Sequence, residues 1–189
     1  MERGGQELNC MLLRNAGLVT KVSRLVIRSR TLAGRSAMDT VKIEAKLPHY
    51  AKGEIVKGFG RGSRELGFPT ANFGEEVIDK LPEELVGGIY FGFAQVDSGP
   101  VHDMVMSVGM NPFYNNEKRA METHIIHEFD GDLYGKILSV IVVGFLRPEA
   151  NYDSLEKLID AIKTDIDNGK RLNKEDKFGK FRCDPYFTS

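Results

Sequence analysis

From Tyr50 onward the chain reads mostly as strand-like runs separated by turn residues. GEIVKGF (Gly53–Phe59) is short and partly alternating. GIYFGFAQVD (Gly88–Asp97) and VHDMVMSVG (Val101–Gly109) flank Ser98-Gly99-Pro100, a hairpin-like turn. ETHIIHEF (Glu122–Phe129) and KILSVIVVGF (Lys136–Phe145) flank the turn-forming stretch Asp130–Gly135. The last of these runs is apolar on both faces, so it is expected to be covered on both sides. One helix follows. Asp153 and Glu156 make a capping-box-like start, and Leu155, Leu158, Ile159, Ile162 and Ile166 form one apolar stripe before Asn168-Gly169, where the helix is expected to stop. Strands do not alternate with helices, which argues against a nucleotide-binding fold built on a parallel sheet. The pattern implies a small closed antiparallel barrel with a C-terminal helix over one side.

The full chain of 189 residues is enough for one domain with a substantial core. Residues 41–189 are read as that domain and residues 1–40 as a basic N-terminal extension. Residues 1–38 hold Arg3, Arg14, Lys21, Arg24, Arg28, Arg30 and Arg35 against Glu2 and Glu7, a net of +5, which leaves −6 for the rest of a chain whose net charge is −1. The extension is rich in Arg, Ser and Leu and lacks acids between Glu7 and Asp39. That composition suits either a disordered tail or a mitochondrial transit peptide. Cytoplasmic location is expected if it is only a tail. The acidic body argues against broad nucleic-acid binding. No run approaches the roughly 18 apolar residues of a membrane span. Cys10 and Cys183 fall in no metal-binding or redox motif and are expected to be free thiols.

The chemistry-bearing stretch is GFGRGSRELGFPTANF, from Gly58 to Phe73. Gly58, Gly60 and Gly62 alternate, with Arg61, Ser63 and Arg64 among them. Glycines let backbone amides turn inward on an anion, although the run does not have the GxxxxGK[ST] spacing and a plain turn is the alternative. Pro69 holds Phe68 extended, and a strand over Thr70–Phe73 would point Thr70 and Asn72 to one face. Two neutral oxygens side by side suit a hard cation such as Mg²⁺, with an ordinary turn or cap as the alternative. Glu122 opens the apolar run METHIIHEF. A carboxylate there is costly unless it lies at a strand end, is paired or is functional, and it could accept a proton from an attacking alcohol. His124 and His127 are three apart, so a strand would face them apart and preclude joint metal ligation. Arg147, before Pro148, could stack on a flat ring, bind phosphate or make a surface ion pair.

These stretches, with MVMSVGMNPFY, DLYGKILSVIVVGFLRPE and NYDSLEKLIDAIKTDI, resemble the riboflavin kinase family in order and spacing over residues 48–168. The resemblance implies a six-stranded Greek-key barrel closed by a C-terminal helix, of the stand-alone eukaryotic kind. It implies phosphorylation of the 5′-hydroxyl of riboflavin by ATP, giving FMN and ADP. By the family's motif, Gly58, Gly60, Gly62, Ser63 and Arg64 would cradle the ATP phosphates. Thr70 and Asn72 would hold Mg²⁺, with Zn²⁺ an alternative, and Thr70 would also touch ATP. Glu122 would be the catalytic base, His127 and Tyr134 would line the nucleotide, and Arg147 would lie on the flavin side. Arg64 departs from the lysine of many relatives, which puts the mode of its phosphate contact in question. The resemblance carries no membrane or nucleic-acid partner, and a monomer is expected. The rival readings are a flavin-binding barrel without catalysis, which would need neither Glu122 nor the Thr70/Asn72 pair, and a kinase for another small alcohol. Formation of FMN and ADP from riboflavin and ATP separates all three.

Overall fold

The computed structural model describes residues 42–58, 66–85, 87–111 and 118–188. The proposed extension over residues 1–40 lies outside them. Six strands make the body: β1 (His49–Val56), β2 (Ala71–Phe73), β3 (Gly88–Val96), β4 (Val101–Asn111), β5 (Lys118–Ile125) and β6 (Ile137–Pro148). They close into a barrel in the order β1-β2-β5-β4-β3-β6, with antiparallel neighbours throughout. A short helix α1 (Glu75–Ile78) follows β2, and a long helix α2 (Leu155–Leu172) follows β6.

Alternation along the strands sorts side chains between two apolar regions. Ile55, Phe73, Tyr90, Met106, Val108, Met121, Leu138 and Val140 fill the barrel. Phe91, Phe93, Val105, Ile141 and Val143 form a second cluster with Phe187, against which Ile166, Leu172, Phe178 and Phe181 also pack. This is why β3 and β6 are apolar on both faces: one face meets the barrel interior, the other the helix and C-terminal segment. Gly92 lies so close to β6 that a Cβ there would strike the Ile141 carbonyl, next to a register shift between the two strands.

Helix α2 differs from its expected limits at both ends. Ser154, not Asp153, is the N-cap, its side chain accepting the Lys157 amide at 3.3 Å, while Asp153 pairs with the Lys157 ammonium at 2.9 Å. The hydroxyl reaches the amide three residues on, and the longer acid is left to the i,i+4 contact. At the other end Asn168-Gly169 does not stop the helix, which runs on to Leu172 with Asn173 as C-cap. Gly169 is buried where α2 meets the barrel, and a Cβ there would lie 2.9 Å from Val105 Cγ1. The glycine serves close helix–sheet packing, so its local tendency to end a helix gives way.

Beyond α2 the chain turns back over β3 and β4 through α3 (Asp176–Gly179) and two 3₁₀ turns, Lys180–Cys183 and Pro185–Thr188. Asn173 donates to Gly92 O (2.9 Å) and Asp103 (2.8 Å). Arg182 donates to Asp103 (2.6 Å) and Val101 O (3.0 Å), with its guanidinium over Phe93. Tyr186 packs edge-on against Tyr50 of β1 at 5.1 Å, so this strap reaches the opposite edge of the second cluster. Cys183 is a free, exposed thiol.

Candidate active site

The strand register gathers residues that are remote in sequence. Asn72 on β2 lies opposite Glu122 on β5, Glu122 opposite Ser107 on β4, Ser107 opposite Ile89 on β3, and Ile89 opposite Arg147 on β6. Paired residues on antiparallel strands share a face. Every member of this row is half-buried, whereas its strand neighbours Ala71, Phe73, Met121, Thr123, Met106, Val108 and Tyr90 are buried. The row therefore lies on the outside of the barrel. Glu122 sits within β5 and not at its start, because the strand begins at Lys118. The strand-end reading of this carboxylate is thereby corrected.

At one end of the row Asn72 pairs with Glu122 and Gly58 packs against Asn72, with Thr70 two residues before Asn72 in the chain. Thr70 and Asn72 are half-buried on either side of buried Ala71, as alternation requires. Gly58 approaches Asn72 so closely that a Cβ would overlap the carboxamide. The first glycine of the loop is thus fixed against the amide proposed as a cation ligand. Gly60, Gly62, Ser63 and Arg64 lie outside the described residues.

His124, two residues beyond Glu122, has a role the sequence did not suggest. Its Nδ1 lies 2.9 Å from Pro69 O, so it donates to that carbonyl, and Phe68 meets its ring edge-on at 5.9 Å. The imidazole ties the segment leading into Thr70 and Asn72 to the strand that carries Glu122. Burial lowers its pKa; the Pro69 hydrogen bond acts in the opposite sense and the charge of Lys170 in the same one.

His127 lies past the end of β5 and stacks on His102 at 4.0 Å, with Phe129 edge-on to both rings. His124 contacts Pro69 and Phe68 whereas His127 contacts His102 and Phe129, and since β5 ends at Ile125 the expectation that one strand carries both histidines does not hold. Tyr134 is exposed on the β5–β6 loop, whose Gly135 amide donates to Ile55 O at 3.0 Å, beside the end of β1 that leads to Gly58. Among the described residues no three His, Cys, Asp or Glu side chains form a metal-binding group.

Arg147 closes the other end of the row. Its Nε and one terminal nitrogen make a fork to Asp165 of α2 at 2.8 and 2.6 Å, and the other terminal nitrogen donates to Pro148 O at 2.9 Å. Burial alone would lower the Arg147 pKa, but the Asp165 hydrogen bonds and charge outweigh it and the net shift is upward. With its edge engaged, the guanidinium offers its flat face, 5.9 Å from the Tyr152 ring. Phe145, Arg147, Tyr152, Thr164, Asp165 and Leu172 line a cleft of about 450 Å³ here, within the usual range for a small-molecule site. Sequence reasoning missed Asp165. The available signal was an acid on the inward stripe of an amphipathic helix.

A barrel that carries hydroxyl, carboxamide and carboxylate groups along one outer row, with a planar cation beside a small-molecule cleft, has the makings of a small-molecule phosphotransferase. The Flavokinase family model, described as riboflavin kinase, matches residues 45–173. The riboflavin kinase of Homo sapiens is 53% identical over 141 residues, covering 75% of this chain and 91% of the relative. The bifunctional riboflavin kinase/FMN phosphatase of Arabidopsis thaliana is 43% identical over 142 residues, covering 75% of this chain and 37% of that protein. The crystal structure of riboflavin kinase from Trypanosoma brucei superimposes with a TM-score of 0.61 at 25% identity, over 74% of this chain and 88% of that one. The chain belongs to the riboflavin kinase family.

Proposed function

We propose that this chain transfers the γ-phosphoryl group of ATP to the 5′-hydroxyl of riboflavin, with Glu122 as the base on the acceptor side. The observation that carries the site assignment is the register row. Glu122 and Arg147 stand three strand steps apart, roughly 14 Å at the usual interstrand spacing. An extended five-carbon polyol spans roughly 6–7 Å from ring to terminal oxygen, which leaves room for a flat ring against Arg147 while that oxygen reaches Glu122. In the proposed step the hydroxyl proton passes to the Glu122 carboxylate as the oxygen bonds to the γ-phosphorus. The bond from that phosphorus to the bridging oxygen breaks, and ADP leaves.

Catalysis of this transfer rests mainly on positioning and electrostatics. Gly58 and the loop through Gly60, Gly62, Ser63 and Arg64 would turn amides and positive charge toward the phosphates. His127 and Tyr134, on the loop tied to β1, would line the nucleotide. The oxygens of Thr70 and Asn72 fit a hard divalent cation and favour Mg²⁺ over the Zn²⁺ alternative, which prefers nitrogen and sulfur donors. When bound, that cation would supply charge neutralisation to the phosphate oxygens. The cleft beside Arg147 supports a flavin there, the guanidinium face stacking on the ring.

No helix among the described residues is long and apolar enough to cross a membrane. A monomeric cytoplasmic enzyme with residues 1–40 as an extension completes the proposal. Its tests are sedimentation of the full chain and localisation with and without residues 1–37. The central test is Glu122→Gln, which should bind riboflavin, by quenching of flavin fluorescence, yet lose about 10²–10⁴-fold in turnover. Near-normal FMN formation by that variant would remove Glu122 from the base role.

A further inference from the structure

Two residues past Arg147, the Glu149 side chain folds back across the outside of the barrel. Its amide donates to Gly87 O at 3.1 Å, continuing the β3–β6 pairing beyond Gly88 and Pro148. Its carboxylate reaches β4, where it occupies the space that a Cβ on Gly109 would fill. Gly109 is paired with Ala120 and stands two residues from Ser107, the partner of Glu122. It is buried close to a strand end, and among the described residues the Glu149 carboxylate lies over it. The carboxylate thus sits one row away from the line joining Glu122 to Arg147, on the same outer face. A diagonal position of this kind is roughly 7–8 Å from Glu122, measured between Cα atoms.

We propose that Glu149 is a specificity-determining residue, accepting hydrogen bonds from the secondary hydroxyls of the acceptor's polyol chain. This rests on the reading above, in which the ring lies by Arg147 and the terminal hydroxyl by Glu122. The chain between them must cross the surface that Glu149 overhangs. An ionised carboxylate is acceptor-only, with about four lone-pair directions, and so complements a run of O–H donors. The same negative charge disfavours a phosphate at this spot and so helps keep the nucleotide's phosphates at the Gly58 and Asn72 end. Gly109 is the counterpart that makes the placement sterically available.

The test compares two acceptors with wild type, Glu149→Ala, Glu149→Gln and Gly109→Ala. One acceptor is riboflavin. The other carries the same ring with an unsubstituted 5-hydroxypentyl chain, so it keeps the reacting hydroxyl and loses the others. For Glu149→Ala, kcat/KM for riboflavin should fall about tenfold or more relative to that for the hydroxypentyl analogue, as expected for losing hydrogen bonds to a charged acceptor. Glu149→Gln, which keeps the volume and one acceptor oxygen, should show a smaller loss. Gly109→Ala displaces the carboxylate without altering Glu149 and should reproduce the loss of discrimination, even if Glu149→Ala folds poorly. Equal losses on both acceptors, or unchanged discrimination in Glu149→Ala and Gly109→Ala, would overturn the role of Glu149 and leave the reaction standing. Wild-type protein that made no FMN from riboflavin would overturn the reaction and this role together.

Discussion

The Arg147–Asp165 pair links the helix to the proposed flavin cleft, and Asp165→Asn perturbs it with little change of shape. Asp165 keeps 8% of its side-chain surface exposed and Arg147 28%, and their contact is two-pronged, at 2.8 and 2.6 Å. Removing one partner of a fully buried pair costs about 3–5 kcal/mol, whereas an exposed pair is worth at most about 1 kcal/mol. A guanidinium that is mostly but not wholly covered falls between, and the asparagine oxygen can still accept one hydrogen bond. The expected destabilisation is about 2 kcal/mol, a fall in Tm of roughly 4–8 °C for a chain of this size. Freed from Asp165, the guanidinium is no longer held edge-on. KM for riboflavin should then rise about tenfold, with kcat, which the proposed mechanism assigns to the Glu122 end, changing far less. Thermal melting and steady-state kinetics at saturating ATP measure both. Arg147→Ala combined with Asp165→Ala should be less destabilised than the sum of the single changes, because neither charge is then left without the other. A melting temperature within 1 °C of wild type together with an unchanged riboflavin KM would refute the positioning role of this pair.

Thr70→Ala and Asn72→Ala should each raise the Mg²⁺ concentration needed for half-maximal activity, and unchanged titration curves would remove them as ligands. His49, His102 and His124 all have pKa values lowered from 6.5, with burial the largest cause. The unfolded chain therefore binds protons more readily than the folded one, and stability should decline as pH falls below about 6.5 and level off above it. Urea midpoints from pH 7.5 to 5.5 check this, and His124→Asn should flatten the decline; a midpoint independent of pH would contradict it. Gly92→Ala drives a methyl group into the Ile141 carbonyl of the neighbouring strand. A loss of at least about 2 kcal/mol in urea unfolding is expected, at the upper end of overpacking costs because backbone cannot move aside as a side chain can.

Elements announced by a local pattern were legible in the sequence. β3, β4 and β6 are strand-like runs between turn residues, and the two-faced apolar character of β6 correctly implied cover on both sides. Its outer cover was less legible, since Phe178, Phe181, Tyr186 and Phe187 follow no helical or strand period, yet all four pack on the second cluster. β2 has three residues, too few for a periodic signal, and only the proline ahead of Thr-Ala-Asn suggested it. The end of α2 was misplaced because Asn168-Gly169 is a good stop signal in isolation. Contact of Gly169 with Val105, over sixty residues away, decides the matter, and that contact belongs to the tertiary structure alone.

The site shows the same division more sharply. Gly58, Thr70 and Asn72 announce themselves within one stretch, but Glu122 becomes their neighbour only through the β2–β5 register, and Arg147 only through three further pairings. Side-chain direction repeats every two residues, so a slip of β5 by one position would send Glu122 inward to the place of Met121 and bring Met121 or Thr123 to the outer row. An unpaired carboxylate among Met106, Val108 and Phe73 would be heavily penalised. The barrel core therefore selects the register that displays Glu122, and His124 holds the Pro69 carbonyl in that same register. On this view the apolar residues between the functional ones are part of the positioning machinery. Met121 and Thr123, buried on either side of Glu122, do as much to aim the carboxylate as any group it would touch.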